Sequence, residues 1–218
     1  MPRRALAEKR PWLLASLLFG IGYIYVRDSQ MPGLYQIAWK GAAVGLLALY
    51  AALRHHSRDA KVLAVVLALG AAGDMAIEID QRAGAVLFLV GHLVAAALYA
   101  AHRRAQVTPS QQALAVVLLI AVPLLGWLLP ADRSAALPVA IYGLALGAMA
   151  AAAWTSNFPR YRVGTGALLF VASDLLIFAG LGPLAGVGPA QWLVWPLYYC
   201  GQFLICVGVL GTLREREL

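Results

Sequence analysis

The sequence predicts an all-α fold, a polytopic integral membrane bundle of helices, and two observations lead to this class. Of the 218 residues, 62% are hydrophobic and only 12% charged, and the mean hydropathy is +0.76. These values lie outside the range of soluble globular chains. The apolar residues also fall into eight segments, each close to the length that crosses a hydrocarbon core of about 30 Å. We therefore predict eight transmembrane helices in a single domain, residues 1–218.

The first segment, near residues 11–26, has a basic flank like that of a signal peptide. It offers no small-x-small cleavage site, so we expect this helix to be retained. Backbone amides in lipid must be satisfied within a helix or a closed barrel, and the alternation of apolar and polar residues that a barrel needs is absent. The other segments are therefore also predicted to be helices, near residues 34–53, 61–79, 84–101, 112–129, 137–155, 163–181 and 190–213.

The basic residues lie at segment ends, which the positive-inside rule explains better than a nucleic-acid partner does. The +7 net charge forms no stripe along a helix face, and no nucleic-acid binding is expected. With both termini in the cytoplasm, 3 of the 17 Lys and Arg residues lie outside, namely Arg27, Arg82 and Arg133. Lys40 lies within a span, and the inside set is Arg3, Arg4, Lys9, Arg10, Arg54, Arg58, Lys61, Arg103, Arg104, Arg160, Arg162, Arg214 and Arg216. We expect the protein in the inner (cell) membrane of a bacterium.

Ionisable residues within the spans are the candidates for function, because such groups are costly in lipid. Counting about 1.5 Å per residue along each helix puts six polar side chains roughly 6 to 13 Å from the non-cytoplasmic end. They are Lys40, Asp74, His92, Tyr142, Asp174 and Tyr198. Six helices thus bring polar groups to one layer, which predicts a single buried polar site. Purely structural ion pairs that join helices are the alternative, above all for Lys40.

Other polar and aromatic residues are predicted to face water or the membrane interface. Glu78 lies near a helix end beside Asp80 and is expected on a solvated surface. Aromatic residues near the predicted interfaces are expected to be membrane anchors: Trp12, Tyr23, Tyr25, Trp127, Trp154, Tyr161, Trp192 and Trp195.

Several established chemistries lack their motifs in this chain. There is no G-x-S-x-G elbow, Walker A loop, Rossmann fingerprint, C-x-x-C pair or H-E-x-x-H helix. A zinc site from His92, Asp74 and Asp174 lacks any repeated ligand spacing, so no metal and no cofactor are expected. The remaining set of carboxylates, imidazole, amine and phenols suits acid and base chemistry.

These residues resemble the pattern of the YhhN family of membrane proteins, whose characterised members are lysoplasmalogenases. The element "GALLFVASDLL", which contains Asp174, is the most specific match. The family often has a tyrosine three residues after the histidine, where this chain has Ala95, and the next tyrosine is Tyr99. The other matching pieces are Lys40, Gly73-Asp74, Phe88 with Gly91-His92, Tyr142 with Met149, and "YYCGQFLI" with Tyr198, Tyr199 and Gln202.

The resemblance implies hydrolysis of the vinyl ether bond of lysoplasmalogens, which releases a fatty aldehyde and glycerophosphoethanolamine or glycerophosphocholine. A carboxyl group in lipid favours its protonated form, and two adjacent carboxyls favour sharing one proton. We therefore predict that Asp74 and Asp174 are a catalytic pair, one the acid and the other ionised, with His92 positioning water or the leaving oxygen.

Substrate binding is assigned to residues around that pair. Lys40 either keeps one aspartate ionised or meets the phosphate. The glycerol backbone is assigned to Tyr142, Tyr198, Tyr199 and Gln202. The expected partners are the lysophospholipid substrate and membrane lipid, and the oligomeric state is left open. A proton-coupled transporter and a metal-dependent hydrolase of another lysolipid are the alternative functions.

Overall fold

The computed structural model describes residues 10–216, and this part of the chain is helical with short connections. Of the positive-inside set, Arg3, Arg4 and Lys9 lie outside the described residues. Eight α-helices coincide with the eight predicted segments, which confirms the all-helical fold: α1 Arg10–Val26, α2 Gly33–Arg54, α3 Arg58–Ala76, α4 Gln81–Ala101, α5 Pro109–Leu128, α6 Arg133–Thr155, α7 Thr165–Gly180 and α8 Gly188–Glu215.

Helices α3 to α6 each begin three or four residues before the predicted segment. Their first turns are polar, so a search for apolar runs leaves these turns out. The Ser57 hydroxyl oxygen accepts a hydrogen bond from the backbone N–H of Ala60 at 3.2 Å, and Asp132 accepts one from the backbone N–H of Ser134 at 2.9 Å. These side chains satisfy amides that the helix itself cannot pair, so the helices begin at the caps.

Six helices in the described part of the chain are long and apolar enough to cross a membrane. Helix α1 is apolar but has 17 residues, and α3 is not among the six. The six are α2, α4, α5, α6, α8 and the continuous stretch Arg160–Gly180, which contains α7. The protein is therefore an integral membrane protein.

The chain enters α7 through a short π-helix, Arg160–Gly164, that follows Pro159. The predicted segment at 163–181 thus has a wider turn at its start. π-Helices are rare, and single π-helical turns frequently occur at functional sites.

The chain divides into two compact units, and α4 and α8 each contribute residues to both. In unit 1, residues 10–91 and 209–216 of the described chain, α1 packs on α2 and α2 on α3. The Ser16 hydroxyl donates to the carbonyl of Ala43 at 2.6 Å. The Trp39 indole N–H donates to the carbonyl of Phe19 at 2.9 Å. Polar side chains in this apolar unit therefore bond to backbone of a neighbouring helix.

Unit 2 comprises residues 92–208, and in it α6 packs against both α5 and α7. Helices α7 and α8 meet at Gly166 and Gly201. A Cβ atom added to either glycine would lie 2.7 Å from the carbonyl oxygen of the other. Only residues without a side chain permit this approach, so the two backbones lie directly against each other.

Candidate active site

Three predicted site residues from three helices meet inside unit 2. They are His92 on α4, Tyr142 on α6 and Asp174 on α7. The Tyr142 hydroxyl donates to Asp174 Oδ2 at 2.8 Å, and the Tyr142 hydroxyl oxygen lies 3.0 Å from His92 Nε2. His92 Nε2 is also 3.8 Å from Asp174 Oδ2. The carboxylate, phenol and imidazole form one hydrogen-bonded set, named here the His92–Tyr142–Asp174 set.

The imidazole and the carboxyl group of the His92–Tyr142–Asp174 set are shielded from solvent. The side chains of His92 and Asp174 are only 4% and 7% exposed. A buried polar group without a partner is costly, and here each polar atom of the contact finds one in another member of the set. The set therefore links three helices through hydrogen bonds, and it holds groups that can exchange protons.

The two hydrogen bonds are compatible with two arrangements of the protons, and the first has Tyr142 as the donor to Asp174. A phenol has one proton, and Tyr142 gives it to Asp174. The bond between Tyr142 and His92 then requires an N–H at Nε2 that donates to the phenol oxygen. In this arrangement Asp174 is ionised and His92 carries its proton on the nitrogen that faces Tyr142.

A second arrangement uses the same two hydrogen bonds with both donors reversed. Asp174, when protonated, donates to the Tyr142 oxygen, and Tyr142 donates to a bare His92 Nε2. The two arrangements differ by one proton moved from the imidazole side to the carboxyl side. The set can therefore transfer a proton between His92 and Asp174 through the phenol of Tyr142.

Aromatic rings enclose the set. Phe170, one helical turn before Asp174, packs edge-on against His92 with ring centroids 4.9 Å apart. The other side of Phe170 meets Tyr198 at 5.0 Å. Phe178, one turn after Asp174, packs edge-on against Tyr142 at 5.8 Å. The chain thus surrounds its buried acid and base with apolar surface, which strengthens electrostatic interactions among them.

Helix α8 supplies the other predicted binding residues of unit 2. Tyr198, Tyr199 and Gln202 are all buried, and the ring of Tyr199 stacks on Trp195 with centroids 6.0 Å apart. The prediction that Trp195 anchors the membrane interface is wrong, since this side chain is 4% exposed. A tryptophan near the start of a span gives the same sequence signal whether it faces lipid or a neighbouring helix.

Ser173, which precedes Asp174 in the "SD" motif, has a positioning role. Its hydroxyl donates to the backbone carbonyl of Val194 on α8 at 2.9 Å. This bond and the contact of Gly166 with Gly201 hold α7 against α8 at two levels, on either side of Phe170. The backbone that carries Asp174 is therefore fixed from two sides.

Lys40 and Asp74 belong to unit 1, where they form a second group of charges. Lys40 Nζ donates to Glu78 Oε1 at 2.6 Å, interacts electrostatically with Asp74, and lies 5.9 Å from the centre of the Tyr23 ring. Asp74 is buried. Glu78 is 40% exposed, as expected of a residue near solvent, but its carboxylate also pairs with Lys40, whose side chain is 14% exposed.

Two features of the site escaped the sequence. The phenol beside His92 comes from Tyr142 on another helix. His92 therefore has a phenol partner even though this chain has Ala95 at the family's tyrosine position. Phe170 and Phe178 lie four residues either side of Asp174 and so share its helix face, a spacing that could have identified them. Over residues 10–216 no three His, Cys, Asp or Glu side chains form a metal-binding group.

Taken together, the helices and the buried set define a class, an integral membrane protein with a hydrogen-bonded carboxylate, phenol and imidazole buried among its helices. The chain belongs to the YhhN family, which it matches over residues 35–209. Two similar relatives, from Mycobacterium bovis and Mycobacterium tuberculosis, are each named lysoplasmalogenase. Each is 30% identical to this chain over 217 residues, which covers 89% of the chain and 80% of the relative. No solved structure matches the chain significantly.

Proposed function

We propose that the protein is a lysoplasmalogenase-like hydrolase that takes a lysophospholipid and cleaves its vinyl ether bond. The products are a fatty aldehyde and glycerophosphoethanolamine or glycerophosphocholine. The observation that carries the proposal is the buried His92–Tyr142–Asp174 set, in a chain of the YhhN family whose relatives bear the name lysoplasmalogenase.

The bond to be cleaved explains why an acid is needed. A vinyl ether has no carbonyl group for a nucleophile to attack, so reaction begins with protonation of the β-carbon. The resulting oxocarbenium ion adds water and becomes a hemiacetal, which breaks its C–O bond to give aldehyde and the glycerol hydroxyl. One water is consumed, and the proton given to carbon is regained from that water. The enzyme must therefore supply a proton and recover one.

Asp174 is the acid in this proposal. In its protonated arrangement it gives its proton to the β-carbon and becomes a carboxylate, whose negative charge stabilises the oxocarbenium ion. His92 then takes a proton from the attacking water. The contacts of Tyr142 with His92 and Asp174 provide the path by which that proton restores the acid.

The remaining predicted residues have supporting roles. Asp74 is the second carboxylate of the predicted pair and stays ionised, which the positive charge of Lys40 favours. Lys40 itself is engaged by Glu78, so a phosphate would have to share it with that carboxylate. Tyr198, Tyr199 and Gln202 bind the glycerol backbone.

The proposal also includes the membrane arrangement. All eight helices cross the membrane, both termini are cytoplasmic, and the protein resides in the inner membrane of a bacterium. The support is the six long apolar helices and the concentration of basic residues at one set of connections.

Aldehyde release from purified, detergent-solubilised protein tests the activity. The substrate is lysoplasmalogen, and the matched control is the saturated alkyl-ether analogue, which cannot form an oxocarbenium ion by protonation at carbon. We expect aldehyde from the vinyl ether alone, and its loss in Asp174→Asn. Absence of aldehyde with well-folded wild-type protein would reject the function, and full activity of Asp174→Asn would reject the mechanism.

A further inference from the structure

An arginine and a tryptophan at one end of unit 2 each hold a buried hydrogen-bond donor that has no partner among residues 10–216. The Arg160 guanidinium stacks over the Trp154 ring at 5.6 Å. Arg160 Nε and Trp154 Nε1 are both inaccessible to solvent and lack an acceptor in the described structure. Unpaired buried donors are costly, and two on one stacked pair mark a place where a small shift of the two side chains would let an acceptor from outside the chain bind.

Unit 2 contains a second stacked pair, in which the arginine does have hydrogen-bond acceptors. Arg133 stacks over Trp127 at 5.1 Å, and its guanidinium also donates to the carbonyl of Trp127 at 2.8 Å and to that of Pro130 at 3.4 Å. The two pairs lie at opposite ends of α6. The described residues thus provide carbonyl acceptors for the guanidinium of Arg133 and none for Nε of Arg160.

The backbone around Arg160 is built for this stack. A Cβ on Gly164 would lie 2.8 Å from Trp154 Cε3 and 3.2 Å from Arg160 Cγ, so the indole packs directly on the π-helix that carries Arg160. The wide turn and its glycine make room for ring and guanidinium together. The stack is therefore a formed feature of the fold and not a chance meeting of surface side chains.

The charge of this end of unit 2 identifies the acceptor. Main-chain bonds join the turn after α4 to the turn after α6, from Arg104 N to the Thr155 carbonyl at 3.0 Å and from Asn157 N to the His102 carbonyl at 2.7 Å. This pairing gathers four arginines, Arg103, Arg104, Arg160 and Arg162. The acidic residues of unit 2 are Asp132, at the opposite end of α6, and Asp174 in the buried set.

We propose that Arg160 and Trp154 bind the phosphate of an anionic phospholipid head group, with the other three arginines supplying the surrounding positive charge. A phosphate diester offers oxygen acceptors for both N–H groups at once, and charge-assisted bonds of this kind are the stronger ones. Tyr161, next in the chain, is 84% exposed, as suits a side chain at the depth of lipid head groups.

Thermal unfolding in a neutral detergent tests the site with short-chain phosphatidylglycerol as the probe. Short-chain phosphatidylcholine and inorganic phosphate at equal concentrations are the comparison ligands. Phosphatidylglycerol should raise the Tm of the wild type, and the other two should do so little. The titration should give an apparent Kd about tenfold weaker in Trp154→Phe, which removes the N–H and keeps the ring on Gly164.

Arg160→Gln should weaken phosphatidylglycerol at least as much, while Arg133→Gln, at the satisfied stack, should bind as the wild type does. Arg160→Lys keeps the charge without Nε and serves if the glutamine variant does not fold; it too should bind about tenfold more weakly. Unchanged affinity in Trp154→Phe and Arg160→Lys would overturn the site. An equal effect of phosphatidylcholine, or a full effect of inorganic phosphate, would overturn the assignment to an anionic lipid.

Discussion

Tyr142 lies between Asp174 and His92, since its hydroxyl oxygen is 2.8 Å from Asp174 Oδ2 and 3.0 Å from His92 Nε2. With one proton to give, the phenol donates to one of the two and accepts from the other. A phenol that bonds to both a base and a carboxylate links their protonation states. The link explains how one buried carboxyl group could lose a proton in each catalytic cycle and regain it without direct access to water.

Replacing Asp174 with Asn should lower the rate of aldehyde formation by at least about a hundredfold, because the amide cannot protonate carbon. The amide oxygen can still accept the hydrogen bond from Tyr142, so thermal stability in detergent should change little. Aldehyde release and a thermal melt measure the two effects.

The matched control for that substitution is Asp132→Asn. The pKa of Asp132 is lowered, first because its side chain accepts from the Ser134 hydroxyl and second because it accepts from the Ser134 backbone N–H. It is therefore ionised at neutral pH, and its replacement also removes one negative charge. Asn remains a good helix cap, so activity should stay at the wild-type level. A large loss in this control would point to net charge as the cause.

Replacing Tyr142 with Phe should lower kcat by about ten- to a hundredfold, since the path between His92 and Asp174 is broken while the acid itself remains. KM should change less than kcat if the phenol transfers protons. If KM alone rises, Tyr142 binds substrate, as the sequence predicted, and moves no proton.

Tyr99→Phe, the same substitution at a buried tyrosine outside the set, should stabilise the protein and leave its activity unchanged. The Tyr99 hydroxyl is fully buried and has no hydrogen-bond partner in the described structure. Its removal relieves an unsatisfied group and leaves the ring against Phe158. We expect a gain of about 1 kcal/mol in unfolding free energy with unchanged activity. A loss of stability would show that this hydroxyl has an acceptor.

Charge substitutions in unit 1 should be unequal in cost. Glu78→Gln removes a carboxylate that is 40% exposed, so we expect at most about 1 kcal/mol of destabilisation. Lys40→Met removes the cation that faces both Glu78 and the buried Asp74, which leaves a buried negative charge without its counterion. It should therefore destabilise more. Chemical or thermal unfolding of the two variants decides this, and equal losses would argue against a role for Lys40 at Asp74.

Replacing Gly166 with Ala should destabilise the protein by about 1–3 kcal/mol, because the new methyl group would lie 2.7 Å from the carbonyl of Gly201. Gly180→Ala is the control on the same helix, where nothing lies within 4 Å of the added atom. It should be neutral or slightly stabilising in the same unfolding measurement. Similar melting curves for the two variants would contradict the close approach of α7 and α8.

The sequence predicts the helices well because the length of an apolar run is a property of the chain alone. Their starts are less predictable, since Ser57 and Asp132 cap helices from outside the apolar runs. The predicted layer of six side chains includes His92, Tyr142 and Asp174, and the structure brings these three into contact. Depth along a helix cannot give the order of those contacts. Which phenol meets His92 depends on the rotation of α6, and Trp195 was misassigned because the rotation of α8 is equally hidden.

Two glycines set the α7–α8 register by backbone contact, and this has a consequence for how the protein can change. Gly166, Phe170 and Asp174 lie four residues apart on one face of α7. The backbone contact at Gly166 holds the helix that carries Asp174, whereas Phe170 between them contributes only its side chain to the site. Substitutions at Phe170 or at its neighbour Tyr198 can therefore reshape the surroundings of the acid without shifting it. If the proposed function holds, directed evolution toward other enol ethers would begin at these two aromatic positions.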